Sequence, residues 1–180
     1  VDPKKHYQTY KKEFDAAITD VLTRGDLILR RDLEIFEQRF ARFVQTKYAI
    51  GVNSGFDALH LSLKALEVGQ GDEVITVAHT FVATIAAIVH TGAKPILIDV
   101  DRDFNMDVAQ IEKAISKQTK AIIPVHLNGR ICNMKAIMDS TKKHGLFVIE
   151  DAAQALGAMY KNKRAGSFGA TGCFSLYPFK

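Results

Sequence analysis

The residues of this chain that could do chemistry include a lysine, a carboxylate and a serine near the ends of predicted strands. Lys180 is the last residue of the sequence, Ser175 precedes it closely, and Asp151 follows the apolar stretch 146–149. A lysine amine forms Schiff bases with carbonyl groups, and a carboxylate can keep a pyridine nitrogen protonated. With a serine hydroxyl that donates to a phosphate oxygen, these groups could hold an electron-sink cofactor.

A polar turn around Gly55 could add a phosphate site. Ser54 and Gly55 link a predicted strand to a predicted helix, and the free N–H groups at the start of a helix bind phosphate. The turn lacks G-x-G-x-x-G, which disfavours a Rossmann-type dehydrogenase, and it lacks the G-K-[ST] of a P-loop. Taken alone, an ordinary turn with Ser54 as a helix N-cap is an equally good interpretation.

Asp151 and Phe81 also have structural alternatives. Asp151 could cap a helix, bind a metal or pair with a cation, and the metal interpretation is poor because no ligand cluster of metal spacing accompanies it. Phe81 could be a core residue, or its ring could stack on a flat heteroaromatic cofactor. His79 and His126, at predicted strand ends, are weaker candidates.

The elements that would position these residues alternate from residue 48 onward between predicted strands and predicted helices. Near-continuous apolar strands in such a series are typical of an α/β fold, with a mostly parallel central sheet and helices on both faces. The predicted strands are residues 48–52, 73–77, 95–100, 121–125, 146–149 and 171–176, and the predicted helices lie near 81–90, 107–116 and 134–144 and through Leu59, Leu63 and Leu66.

Two amphipathic helices are predicted before this series. One covers residues 4–23, and the other begins near Asp32 as its N-cap. The second helix presents an apolar face made of Leu33, Phe36, Phe40 and Phe43. We therefore expect an N-terminal helical segment over residues 1–47, packed on an α/β domain over residues 48–180.

A parallel sheet would bring distant polar residues together. The carboxyl ends of its strands lie along one edge, where ligands bind. Residues 53–55 and 79–81, together with Asp99, His126 and Asp151, each follow a predicted strand. We expect them to face one crevice.

Composition excludes several classes of protein. The net charge of +4 is scattered in short basic pairs among acids, which disfavours a nucleic-acid partner. The longest apolar stretch, near residues 81–89, is too short to span a bilayer. Cys132 and Cys173 lack metal-ligand spacing and predict reduced thiols. Since the first residues do not resemble a signal peptide, we expect a cytoplasmic protein.

Five segments, in order along the chain, resemble the DegT/StrS-type sugar aminotransferases. These are pyridoxal phosphate (PLP) enzymes of the aspartate-aminotransferase fold, and the resemblance implies that fold here. The segments are VNSGFDAL (52–59), TFVAT (80–84), PVHLNG (124–129), EDAAQ (150–154) and FSLYPFK (174–180).

The resemblance implies roles for residues around the cofactor ring. Lys180 would bind PLP covalently and later move a proton at the substrate carbon. Asp151 would pair with the pyridine nitrogen, and Gln154 would bond near the phenolic oxygen. Phe81 would stack on one face of the ring, and Ala153 would contact the other.

The resemblance also implies a phosphate site made of the backbone amides of Gly55 and Phe56, with the hydroxyls of Ser175 and Ser54. Members commonly have threonine where this chain has Phe56, so one phosphate hydroxyl is missing. Arg30-Arg31 and Asn128 also depart from the usual family residues. These departures leave the substrate open.

The implied activity is PLP-dependent transamination of a nucleoside-diphosphate-linked keto sugar, with glutamate as amino donor, in a homodimer with shared active sites. A family member acting on a cyclitol or another keto substrate, and a non-catalytic PLP-binding regulator, are the alternatives. The resemblance further implies that the chain is the N-terminal part of a longer enzyme whose remainder forms a small domain. The sugar, the nucleotide and the position aminated stay undetermined.

Overall fold

The structure is a computed structural model that describes residues 2–25, 28–29 and 31–178. The chain forms two compact units, residues 1–51 with 177–180 and residues 52–176. The predicted division into residues 1–47 and 48–180 stays a prediction, and Lys180 lies outside the described residues. Within the described ranges, no helix combines the length and apolar character needed to cross a membrane.

The first unit contains three helices: α1 (Pro3–Thr9), α2 (Lys11–Arg24) and α3 (Arg31–Val44). The prediction of one continuous helix over residues 4–23 is wrong, because the chain leaves helical geometry at Tyr10, where φ is −111° and ψ is 22°. Every described residue of α1 and α2 is at least partly exposed.

The helix predicted near Asp32 exists as α3, but it begins at Arg31, so Asp32 lies in its first turn and is not its N-cap. Its buried residues are Ala41 and Val44. Two aromatic residues of the predicted apolar face, Phe36 and Phe43, remain 40% and 45% exposed. The predicted apolar face of α3 is therefore only partly covered by the described residues of the chain.

The strand predicted over residues 48–52 is wrong. Tyr48 and Ile50 are 71% and 80% exposed, and the segment pairs with no strand in the part of the chain that is described. The backbone N–H of Gly51 is instead bound by the Glu37 carboxylate at 2.6 Å. A short apolar run becomes a strand only where a neighbouring strand takes up its backbone hydrogen bonds.

The second unit is built from four helices and seven strands. The helices are α4 (Gly55–Ala65), α5 (Val82–His90), α6 (Ile111–Ala114) and α7 (Met134–His144). The strands are β1 (Glu73–Val77), β2 (Lys94–Ile98), β3 (Thr119–Ile122), β4 (Phe147–Asp151), β5 (Met159–Tyr160), β6 (Lys163–Arg164) and β7 (Thr171–Cys173).

Five of the strands form a fully parallel sheet in the order β2-β1-β3-β4-β7. Strands β5 and β6 form a small antiparallel hairpin that the sequence pattern did not predict. The helix predicted near residues 107–116 is a 3-10 turn, Val108–Gln110, followed by the short α6. The prediction of a mostly parallel sheet is confirmed.

Two hydrophobic cores cover the two faces of the sheet. Along β1, Val74 belongs to the core under α4 and α5, whereas its neighbour Ile75 belongs to the core under α6 and α7. Along β4, Ile149 and Val148 divide in the same way. Successive side chains of a strand point to opposite faces, so a sheet with helices on both sides needs apolar residues at consecutive positions. This is the pattern that made the strands recognisable.

Strand β4 is longer than predicted and carries the site residue within it. The prediction ended this strand at Ile149, whereas it runs to Asp151. Asp151 stays in register because Val125, beyond the end of β3, still bridges to it and His126 N–H donates to its carbonyl at 3.0 Å. On its other side Asp151 pairs with Cys173 of β7, so its backbone is held by neighbours on both sides.

Candidate cofactor site

The parallel sheet gathers its five carboxyl ends along one edge. Asp151 ends β4, Ser175 follows β7, and Thr80 and Phe81 follow β1. Ala152 N–H donates to the Cys173 carbonyl at 2.8 Å, which ties the end of β4 to the end of β7. The topology thus brings Asp151, Ser175, Thr80 and Phe81 to one edge, whereas residues 53–55 follow no strand of the described chain and reach this edge through the approach of Gly55 to Ser175.

Asp151 presents a nearly buried carboxylate with a defined set of donors. The residue is 6% exposed. Its Oδ2 accepts from the Thr84 hydroxyl at 2.7 Å, and its Oδ1 accepts from the backbone N–H of Ala153 at 3.2 Å. Each carboxylate oxygen can accept two hydrogen bonds, so this carboxylate keeps acceptor capacity for a cationic N–H of a ligand. Thr84 lies in the TFVAT segment, but no role for it was predicted from the sequence.

A close contact joins the start of α4 to the end of β7. Ser54 is the N-cap of α4, and its hydroxyl accepts from Asp57 N–H at 3.1 Å. A Cβ on Gly55 would lie 3.1 Å from Cβ of Ser175 and 3.4 Å from the Phe174 carbonyl oxygen. Only glycine lets these two backbones come so close without displacement. Helix-start N–H groups and a serine are therefore side by side, as an anion site requires.

The side chain of Phe56 faces away from the contact between Gly55 and Ser175. Its ring stacks on His60 with centroids 5.9 Å apart and an interplanar angle of 4°, and it meets His90 edge-on at 5.5 Å. Phe56 therefore packs between α4 and α5. The group that it can offer a ligand is its backbone N–H, as predicted from the family comparison.

Gln154 and Phe81 occupy different surroundings. Gln154 Oε1 accepts from Asn128 N–H at 2.9 Å, which orients the side-chain amide. Phe81 is 64% exposed at the N-cap position of α5. It is thus not a core aromatic residue of the described chain. Ala153 directly follows the buried Ala152.

Other candidates at this edge are held by local contacts. Asp99 accepts from Val100 N–H at 2.8 Å, and the His79 ring lies 5.8 Å from that of Phe104. His126 is fully buried, so it is not available to a ligand in the described structure. His126 therefore has a structural role and is not a site residue.

His126 and Glu150 form a buried hydrogen-bonded pair behind Asp151. Both side chains are 0% exposed, and His126 Nε2 lies 3.0 Å from Glu150 Oε2. His126 Nδ1 accepts from Cys132 N–H at 3.3 Å, so the neutral ring carries its proton on Nε2 and donates it to Glu150.

Glu150 also holds the loop that leads into β7. Its carboxylate accepts from Gly166 N–H at 2.8 Å, Phe168 N–H at 2.6 Å and Gly169 N–H at 2.8 Å. The loop lies so close to β7 that a Cβ on Gly172 would be 2.3 Å from the Gly166 carbonyl oxygen. Glu150 lies in the EDAAQ segment, but no role for it was predicted from the sequence.

The two cysteines are free and buried, in agreement with the prediction of core thiols. Burial raises the pKa of the Cys132 thiol and that of the Cys173 thiol to about 12. Because only a thiolate is a good nucleophile, neither cysteine is suited to chemistry at neutral pH.

The model of the DegT/DnrJ/EryC1/StrS aminotransferase family matches residues 8–180. The chain belongs to this family. The family resemblance inferred from the five segments is thereby confirmed. The predicted fold class is confirmed as well, because a solved structure of the family shares this architecture.

Two curated relatives in the family are named as aminotransferases of nucleotide sugars. The chain is 44% identical to the dTDP-3-amino-3,4,6-trideoxy-alpha-D-glucose transaminase of Streptomyces venezuelae, covering 100% of this chain and 48% of the relative. It is 45% identical to the UDP-N-acetyl-3-dehydro-alpha-D-glucosamine 3-aminotransferase of Acidithiobacillus ferrooxidans, covering 100% of this chain and 49% of the relative. The chain therefore spans about half the length of these relatives.

A solved structure has the same fold throughout the matched region. The crystal structure of S. venezuelae DesV in complex with a ketimine intermediate superposes with a TM-score of 0.97 at 44% identity. The match covers 99% of this chain and 48% of that chain.

Proposed function

We propose that the full-length protein is a PLP-dependent aminotransferase that converts a nucleoside-diphosphate-linked keto sugar into an amino sugar, with glutamate as amino donor. The observation that carries the proposal is the buried Asp151 carboxylate at the end of β4, on the same sheet edge as the Gly55–Ser175 contact. The two relatives named above support the substrate class.

The residues at this edge fit PLP in two respects. Asp151 retains acceptor capacity for a protonated ring nitrogen. The narrow contact at Gly55 brings the backbone N–H groups at the start of α4 beside Ser175, the arrangement that suits a phosphate. When bound, PLP supplies an electron sink that stabilises negative charge at the substrate carbon.

Each candidate site residue then has a defined task. Asp151 holds a proton on the ring nitrogen, because its negative charge favours the cationic form of that group. Ser54, Gly55, Phe56 and Ser175 bind the phosphate through hydroxyl and backbone N–H groups.

The remaining residues orient the ring and move a proton. Gln154 uses its Oε1 to accept from Asn128, so its amide N–H₂ is the group that can donate to the phenolic oxygen. Phe81 and Ala153 enclose the two faces of the ring. Lys180 binds the cofactor through its amine and carries a proton at the substrate carbon; this role rests on the family motif at residues 174–180.

We also propose that the enzyme is a homodimer located in the cytoplasm. Helices α1 and α2 carry aromatic and aliphatic side chains that the described chain leaves exposed, among them Tyr7, Phe14 and Leu22 at 42%, 39% and 64%. A second copy of the protein would cover such a surface. Sedimentation equilibrium that yields the monomer mass at micromolar concentration would contradict the dimer, and fractionation of the source cells tests the compartment.

The activity can be tested with the purified full-length protein and PLP. We expect glutamate to be converted to 2-oxoglutarate beyond one equivalent per PLP only when a 3-keto or 4-keto sugar linked to dTDP or UDP is present, with an amino sugar as product detected by mass spectrometry. Turnover of keto-cyclitols alone would favour a different family substrate. PLP binding without turnover of any keto acceptor would favour the regulatory alternative.

Replacing Ser175 with alanine is expected to weaken PLP binding by roughly 10- to 100-fold. A hydrogen bond to a charged group contributes roughly 1.5–3 kcal/mol, and this serine lies against the start of α4. Equilibrium dialysis against PLP measures the dissociation constant. Ser140→Ala is the control, because this hydroxyl bonds to Glu112 at 3.0 Å on the exposed surface. Equal dissociation constants for Ser175→Ala and the native protein would remove Ser175 from the phosphate site.

A further inference from the structure

We propose that Thr84 and Thr80 form a hydroxyl relay that positions the Asp151 carboxylate for the cofactor ring. This inference rests on the proposed PLP function and assigns two positioning residues to it. Thr84 Oγ1 lies 2.7 Å from Asp151 Oδ2, and Thr80 Oγ1 lies 2.8 Å from Thr84 Oγ1. Thr84 is 0% exposed and Asp151 is 6% exposed, so the inner hydrogen bond is shielded from water.

The chemistry of the three groups fixes the direction of the relay. An ionised carboxylate has no proton to donate, so the Thr84 hydroxyl must donate to Asp151. The oxygen of Thr84 is then an acceptor for the Thr80 hydroxyl. A hydroxyl that accepts one hydrogen bond becomes a better donor in the next, so Thr80 strengthens the contact at Asp151.

Threonines elsewhere in this protein use their hydroxyls differently. Thr9, Thr91 and Thr141 donate to the carbonyls of Lys5, Ile88 and Met138, at 2.9, 2.7 and 3.2 Å. Such bonds to the preceding turn are the usual option for a threonine in or at the end of a helix. Thr84 lies near the start of α5, yet its hydroxyl bonds to a carboxylate 67 positions away.

The relay holds one oxygen of Asp151 while Ala153 N–H holds the other at 3.2 Å. With both oxygens fixed, the plane of the carboxylate is set by the protein before a cofactor binds. A preorganised charge loses no free energy to reorientation when its partner arrives. The charged and titratable groups near Asp151 do not compete for this role, because Glu150 is bound to His126 and to the 166–169 loop, and Cys173 is a neutral thiol.

Two substitutions at one position separate positioning from packing. Thr84→Val keeps the shape and removes the hydroxyl, whereas Thr84→Ser keeps the hydroxyl and removes a methyl group. If Thr84 positions Asp151, PLP binds about tenfold more weakly to Thr84→Val and within about threefold of native to Thr84→Ser. If Thr84 only packs, the order is reversed, because the serine variant leaves a cavity and the valine variant does not.

The matched control is Thr76→Val. Thr76 is also 0% exposed, but its hydroxyl donates to the Ile123 carbonyl at 2.9 Å and does not contact Asp151. We expect this variant to lose thermal stability without a change in the PLP dissociation constant. The same loss of affinity in Thr76→Val and Thr84→Val would overturn the proposal.

The experiment uses the full-length protein, with equilibrium dialysis against PLP and thermal denaturation of the cofactor-free form. If Thr84→Val does not fold, Thr80→Val tests the relay from its outer end, with an expected loss of about threefold in PLP affinity. Native affinity in a folded Thr84→Val or Thr80→Val variant contradicts the relay. A native protein that does not bind PLP instead contradicts the proposed function.

Discussion

Replacement of Asp151 with alanine in the full-length protein is expected to lower the kcat of transamination by roughly 10²- to 10³-fold. This is the range seen when one preorganised electrostatic contact to the reacting group is lost. Asp151 is the nearly buried carboxylate at the end of β4, held by Thr84 and by the Ala153 N–H. Without this charge, the ring nitrogen loses the anionic partner that favours its protonated form.

Asp151→Asn separates charge from shape. The asparagine keeps the size of the side chain and one oxygen for Thr84, but it has no negative charge. We expect a loss of kcat close to that of the alanine variant, and measurement of kcat and KM with the sugar substrate tests it. Asp99→Asn is the control: this carboxylate also follows a strand at the same edge, but it is exposed and binds Val100 N–H. If Asp151→Ala keeps kcat within tenfold of native, the ring-nitrogen role is wrong.

Replacement of Glu150 with alanine is expected to lower the free energy of unfolding by about 3–5 kcal/mol, because one carboxylate that accepts several hydrogen bonds is lost and each buried donor left unsatisfied costs roughly 1–3 kcal/mol. The carboxylate accepts hydrogen bonds from His126 and from three backbone N–H groups of the 166–169 loop. Alanine leaves these buried donors without an acceptor, and each unsatisfied donor is itself destabilising.

Urea denaturation of the cofactor-free protein measures this change. Glu150→Gln should lie between the native protein and the alanine variant, because it keeps one carbonyl oxygen and directs an N–H₂ group at donors. Glu112→Gln is the control. Glu112 also bonds to several partners, Ser140, Lys143 and His144, but on an exposed surface, where such contacts contribute little. Similar denaturation midpoints for Glu150→Ala and Glu112→Gln would contradict the proposed role of Glu150.

Local pattern predicted the elements that are long and apolar. Strand β1 and helices α5 and α7 lie where the sequence placed them, because their apolar residues recur with the period of each structure. The pattern failed at residues 48–52, where an apolar run has no strand beside it, and at Tyr10, where one amphipathic stretch divides into two helices. Hydrophobic periodicity does not show whether a neighbouring strand is present or where a helix is interrupted, which explains both errors.

The sequence by itself determined the family, the parallel α/β architecture and the candidate groups Lys180, Asp151 and Ser175, because short motifs and hydrophobic periodicity are local properties of the chain. Only the tertiary structure showed which other residues contact Asp151 and Ser175 and hold the elements around them. The contact of Thr84 with Asp151, the four donors on Glu150 and the approach of Gly55 to Ser175 all join residues far apart in the chain. Such contacts depend on the register of parallel strands and on how helices pack across them, which local sequence does not encode.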